Sequence, residues 1–248
     1  MVHCLPLPGT LHDGGDVGRV YAQAVRDAQT LEAAGVDAVI VENMGDDPFL
    51  VKLEPGQFAA LAVATQKVRD AVRIPVGVDA AFCDFAASLA IARATGAQFI
   101  RAAVFVDTVQ YYGGVIQPCA RECMLYRKAL GCEDVMVLAD VQVKHTDMVL
   151  PHVTVEQSAA NAAACGADAI IVTGSAIGIE PAIKTVERVK ALVKVPVIAG
   201  SGVNSGNIRA QLAIADGAII GSAMKEGGKI ANPISEKLAR ELVAALRG

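Results

Sequence analysis

A single (β/α)8 TIM barrel is the fold this sequence predicts, and three observations predict it. Short β-branched runs alternate with Ala-rich amphipathic segments along the whole chain, and no Pro/Ser-rich linker or charge run interrupts them. There are eight such runs in 248 residues, the length typical of eight β-α units closing into a ring. Hydrophobic residues make up 53% of the chain and aromatics only 4%, with no Trp. The core is therefore Ala, Val, Ile and Leu, as parallel strands covered by helices require. One domain over residues 1–248 follows, with a doubly wound open sheet as the alternative, since alternation alone does not show closure.

The strands are expected at 2–5, 36–42, 75–80, 98–105, 135–144, 168–173, 196–201 and 217–222. The first runs into PLPG (6–9), a stiff turn because each proline fixes its own φ and restricts the residue before it. The second, fourth and sixth each leave a helix that ends in glycine: EAAGVDAVIVEN, ARATGAQFIRAAV and AAACGADAIIVTG. QLAIADGAIIGS repeats the pattern more loosely before the eighth. Glycine ends a helix because it accepts the left-handed cap conformation without penalty. The third and seventh, IPVGVD and VPVIAGSG, have a proline at their first residue, where no ladder donor is yet needed.

The fifth strand reads with a period of two. Val135, Val137, Ala139, Val141 and Val143 form an apolar side that packs under helices, so Asp140, Gln142 and Lys144 face the barrel interior. The same parity puts His3, Glu42, Asp79, Arg101 and Thr173 inward on strands one, two, three, four and six. In a barrel, side chains at the carboxyl ends of strands form the active face. Glu42, Asp140 and His3 are the acid-base candidates there, with Asn43 and His145 beside them. Lys144 admits three roles: a Schiff-base amine, a structural partner of Asp140, or a proton donor and anion holder. The third is preferred, because a nearby carboxylate favours the ammonium form.

Two glycine-rich turns follow the last strands, GSGVNSGN (200–207) and GSAMKEGG (221–228), and TGSAIG (173–178) follows the sixth. Barrels often hold phosphate at these places on backbone N–H groups. Gly174, Ser175, Gly200, Ser201, Gly202, Gly221 and Ser222 are the expected phosphate ligands, with Lys225 adding a point charge. Ordinary tight turns are the competing explanation. Together the turns outline a rim for a phosphosugar or nucleotide, by analogy with FMN and ribose-phosphate barrels. ENMGDDPF (42–49) supplies acceptors on the opposite rim, either for hydroxyls or as a capped, solvated turn.

Several classes are excluded. Net charge is −4, with no basic cluster interleaved with aromatics, so nucleic acid is not an expected partner. No basic, apolar leader and no spanning run of 18 or more apolar residues occurs, which predicts a cytoplasmic protein. The six cysteines, at 4, 83, 119, 123, 132 and 165, show no C-x-x-C pair, so free thiols are expected. Cys119, Cys123 and Cys132 lack a fourth zinc partner, and His3, Glu42, Asp140 and His145 lack a metal-ligand spacing. No cofactor is predicted; a divalent metal or FMN stays open, as does homo-oligomerisation.

MVHCLPLPG, GVDAVIVENMGDDPF, PVGVD, ADVQVKH, ADAIIVTGSAIG, PVIAGSGVNSGN and ADGAIIGSAMKEGGKIANPIS, in this order over essentially the whole chain, resemble the BtpA/SgcQ family. The resemblance implies a ribulose-phosphate-binding type of barrel. It carries two functional labels: a factor of photosystem I biogenesis, peripheral to a membrane, and a nucleosidase or sugar-metabolism enzyme. Where the family pattern reads like GVNVLRND and IRVNV, this chain has GVDAAFCD and IRAAV, with Asp79, Phe82 and Ala103 in place of Asn, Arg and Asn. The resemblance thus implies a less polar half-site on strands three and four beside an intact phosphate half. The expected function is an enzyme acting on a phosphorylated sugar or nucleoside by lyase or hydrolase chemistry; the alternative is a non-catalytic assembly factor.

Overall fold

The computed structural model describes residues 1–174 and 182–247. In chain order its elements begin with β1 (Val2–His3), α1 (Val17–Ala34), β2 (Val39–Glu42), α2 (Pro55–Ala71), β3 (Val76–Asp79), α3 (Phe85–Thr95) and β4 (Phe99–Ala102). There follow β5 (Val109–Tyr111), β6 (Gly114–Ile116), α4 (Ala120–Ala129), β7 (Met136–Val141), β8 (Asp147–Met148), α5 (Val155–Ala164) and β9 (Ala169–Val172). The chain continues through α6 (Ile183–Leu192), β10 (Val197–Ala199), α7 (Ile208–Leu212), β11 (Gly217–Ala218) and α8 (Glu236–Arg247).

Eight parallel strands form one sheet in the order β1-β2-β3-β4-β7-β9-β10-β11. The Met1 nitrogen donates to the Ile220 carbonyl at 2.8 Å, which joins the first strand to the last. The sheet is a barrel, and the eight expected strands are its eight staves. Helix ends obey the local chemistry: Asp16 and Asp84 accept N-cap bonds from Arg19 and Ala87, and Thr154 with Gln157 forms a capping box. Gly35 and Gly96 end α1 and α3 in the left-handed conformation. Gly217 does not cap a helix; it opens β11.

Two apolar layers surround the strands. Outward residues such as Val137, Ala139 and Val141 join the core beneath the helices, whereas Ile40, Phe99, Leu138, Ala169 and Ile171 pack inside the ring. Leu138 shares its parity with Asp140, so β7 faces inward as its alternation requires. The interior is apolar at its floor and becomes polar toward the carboxyl ends.

The strands expected at 2–5, 98–105 and 217–222 end early, at His3, Ala102 and Ala218, and two larger features depart from the sequence expectation. The strand expected at 135–144 stops at Val141, because Gln142 takes φ 47° and its N–H is captured by the Asp107 carboxylate at 2.7 Å. The alternation therefore breaks before Gln142 and Lys144. Second, β5 and β6 form a hairpin between β4 and α4, and β8 from the next loop pairs with β5, which makes a three-stranded antiparallel sheet above the barrel. The Gly-Gly pair at 113–114 is the local signal of this hairpin.

Candidate functional site

His3, Glu42, Asp79, Arg101 and Asp140 come together from the ends of β1, β2, β3, β4 and β7, all of them nearly or fully buried. His3 Nε2 lies 3.3 Å from Glu42 Oε2. Arg101 grips Asp140 in two bonds, Nε to Oδ2 at 2.8 Å and Nη2 to Oδ1 at 2.9 Å, and its Nη1 is 3.7 Å from Asp79 Oδ2. This is the bidentate geometry that suits guanidinium to carboxylate.

Burial sets the protonation of this layer. It pushes the Asp79 carboxyl well above the usual range, reinforced by Glu42 and opposed by Arg101. Burial alone would raise Glu42 too, but the hydrogen bond from His3, then the charges around it, hold it below the usual value. Burial lowers His3, only partly offset by Glu42. We assign Glu42 as ionised and His3 as the neutral imidazole that donates from Nε2, since each group's net shift favours that form. Nδ1 then keeps its lone pair, and it is buried without a hydrogen-bond partner. For Arg101 burial works downward, but Asp140, Asp79 and Glu42 together raise it further above its usual value.

Over this layer stands Lys144. Gln142 and His145 are both non-glycine residues with positive φ, 47° and 67°, so the loop 142–145 is held in an unfavourable backbone conformation. The Lys144 N–H reaches Thr173 Oγ1 at 3.3 Å, while no hydrogen bond or ion pair occupies its Nζ among the described residues. Burial, then Arg101, lowers its pKa. His145 beside it is lowered by burial, then by Lys144.

The cavity these groups line measures about 120 Å³, and Gly200, Ser201, Gly202, Gly221 and Ser222 form its opposite wall. A Cβ at Gly200 would lie 2.4 Å from Ile171 Cγ2, and one at Gly221 would lie 3.1 Å from His3 Cε1. At Gly200 only glycine lets the turn approach the strand so closely, and at Gly221 a side chain would press on the imidazole. The N–H groups of Gly202, Gly221 and Ser222 donate to no protein acceptor among the described residues. The Gly174 N–H is taken by Ser201 Oγ at 2.8 Å. Ser175 lies outside the described residues.

Six expected site residues among those described are not on the cavity wall: Thr173, Gly174, Gln142, Lys225, Asn43 and Asp140. Gln142 turns outward, donating to the Val153 carbonyl at 2.9 Å, because the strand has already ended. Lys225 is fully buried away from the mouth and pairs with Asp27 of α1 at 2.9 Å, so it offers no charge to a phosphate. Asn43 is consumed as a clamp: its amide donates to Asp46 and to the Ala81 carbonyl, and its oxygen accepts from the Ala81 N–H. Asp140 sits beneath Arg101, with both oxygens engaged, and so positions that guanidinium.

Sequence reasoning missed Asp107, which accepts from Gln142 N–H and Ser158 Oγ and thereby sets the loop that presents Lys144. Asp46, expected from ENMGDDPF as a mouth acceptor or a local cap, binds Leu7 N–H, Asn43 and Gln57 and so fixes the PLPG loop to the β2 loop. Asp107 had no signal, since it acts through contacts remote in sequence. Among the described residues, no group of three or more His, Cys, Asp and Glu is arranged to hold a metal ion. No helix among them is long and apolar enough to cross a membrane.

Residues 1–248 match the sequence pattern of the BtpA family. The chain belongs to the BtpA family. An uncharacterized protein of Pyrococcus furiosus is 39% identical to this BtpA-family chain, over 98% of it and 92% of the relative. The photosystem I biogenesis protein BtpA of Synechocystis is 35% identical, over 93% of this chain and 80% of the relative. Thiamine phosphate pyrophosphorylase from Pyrococcus furiosus is similar in structure, with TM-score 0.60 at 17% identity over 90% of this chain and 88% of that one. The BtpA-family chain thus shares the TIM-barrel fold with this solved structure.

Proposed function

We propose that this BtpA-family barrel is an enzyme acting on a small phosphorylated substrate, a sugar phosphate or phosphorylated nucleoside, by acid-base cleavage of the lyase or hydrolase type. The observation that carries the reading is one juxtaposition. A buried His3-Glu42 pair and the amine of Lys144 face, across one cavity, a wall of glycine turns with unengaged backbone donors. Costly buried ionisable groups around a concave site are the mark of functional chemistry rather than of core filling.

In this reading the phosphate lies on the Gly202, Gly221 and Ser222 N–H groups. The His3-Glu42 pair, joined through Nε2, takes a proton from a substrate hydroxyl or water. Lys144, whose lowered pKa makes its ammonium a better acid, gives a proton to the leaving group. Arg101, held by Asp140, keeps positive charge beneath the site. A Schiff base at Lys144 is the competing chemistry; the Arg101 charge supports a free amine, but Glu42 and Asp140 oppose it.

The test is a thermal-shift and calorimetric titration with inorganic phosphate and ribose 5-phosphate, followed by a turnover screen of phosphorylated sugars and nucleosides read by mass spectrometry. His3→Ala and Lys144→Met are each expected to cut turnover about 10²–10⁴-fold. Absence of any phosphate-dependent stabilisation would sink the proposal. A second reading rests on the name of the Synechocystis relative: a biogenesis factor that keeps the barrel as a ligand sensor. It predicts binding without turnover.

A further inference from the structure

The mouth does not end at the polar cavity. A second cavity of about 650 Å³ adjoins it, with Phe49, Phe82 and His145 lining both. Its far wall is Tyr111 and Tyr112, carried by the hairpin above the barrel. In a chain with no Trp, two of the six Phe and two of the four Tyr gather here.

Tyr111 belongs to the buried core, with Phe82 packed against it, but the cluster reaches the surface. Phe49 and Phe82 are half-buried and Tyr112 is 66% exposed. They are nevertheless fixed. Phe82 and Tyr111 stack with centroids 5.1 Å apart and planes within 6°, and Tyr112 leans on Tyr111 at 4.8 Å. The Tyr111 hydroxyl donates to the Phe49 carbonyl, and the Tyr112 hydroxyl reaches Asp47 and accepts from the Phe49 N–H. The hairpin is thus tied to the loop after β2, and the rings are held in place without a ligand, Tyr112 at 49° to Tyr111.

We propose that this annex is a stacking subsite for a planar aromatic or heteroaromatic ring, so that the substrate is a phosphorylated head carrying such a ring. The inference rests on the phosphate reading above and names the other end of the same molecule. Size agrees: the polar cavity alone is smaller than ordinary ligand sites of roughly 300–1,000 Å³, and the two cavities together fall within that range. Shape agrees as well, since prefixed flat rings favour a flat partner that loses little freedom on docking. A flexible hydrocarbon tail would lose more freedom, and it would offer no hydrogen-bond partner to the exposed imidazoles of His12 and His145, which also line the annex. Ring heteroatoms would satisfy them.

The experiment compares three phosphorylated probes by calorimetry: ribose 5-phosphate, adenosine 5′-monophosphate and hexyl phosphate. Tyrosine fluorescence serves as local reporter, because half of the tyrosines line the annex and no Trp obscures them. The mononucleotide is expected to bind about tenfold tighter than ribose 5-phosphate and to quench tyrosine emission, with no such gain for hexyl phosphate. Phe82→Leu keeps apolar volume without a ring, and Tyr112→Ala changes an exposed side chain that folding tolerates. Each is expected to reduce the mononucleotide's advantage to less than twofold. Equal affinity of mononucleotide and ribose 5-phosphate, an equal gain for hexyl phosphate, or an advantage that survives both substitutions overturns the stacking subsite. If ribose 5-phosphate itself fails to bind, the phosphate reading falls, and the subsite with it.

Discussion

Asp79 carries a carboxylate that the folded protein ionises only at a cost. Burial first, then Glu42, raises its pKa well above 3.8, so the native state holds this proton more tightly than the unfolded chain does. The cost is present in full above the folded pKa, and it is relieved as the pH falls through that value toward 3.8. Asp79→Asn is therefore expected to raise the melting temperature at pH 8 and to lose most of that advantage in mildly acidic buffer. A gain that does not vary with pH would rule out ionisation as its source. Parity found most of this site: His3, Glu42, Asp79 and Arg101 were legible because each lies on or at the end of a regular strand. Gln142 was not, since period-two reading assumes that the strand continues, and a positive φ at 142 ends it.

At the scale of elements, the link between α1 and the segment before α8 is a single buried knot. Asp27 of α1 accepts from Lys225 Nζ and from the Ile234 N–H, both at 2.9 Å, with Lys225 fully buried. Breaking a buried pair strands the remaining charge, so Asp27→Ala is expected to cost about 3–5 kcal/mol. The double variant Asp27→Leu with Lys225→Met is expected to recover much of that loss in denaturant titrations. Equal destabilisation by the single and double variants would show that the pair's charges are not the cause. Sequence suggested a surface cation for Lys225 because its glycine-rich surroundings resemble a phosphate loop; the Asp27 partner lies 198 residues away and had no local signal. The eight staves were legible, by contrast, because each is a short apolar run bounded by turn residues. The third strand of the upper sheet, Asp147–Met148, was not, since two residues of loop carry no period.

For the whole molecule, His3 contributes to the slope of the acid side of the stability curve. His3 is held neutral by burial, whereas an unfolded histidine protonates below about pH 6.5. Its stabilising contribution is intact above that pH and falls away as the pH drops from 6.5 toward the lowered folded pKa. His3→Asn is expected to flatten melting temperature against pH between 6.5 and 5; an unchanged slope would assign the acid sensitivity elsewhere. Closure of the ring was not readable from alternation and needed the Met1 to Ile220 link to settle it. Finally, the barrel ring and the upper sheet are separate sheets, each with its own pairing ladder. The acid-base groups stand on the first and the aromatic wall on the second. Under the proposed function, a lineage can therefore revise what it selects by redrafting one hairpin, with the acid-base groups inherited untouched.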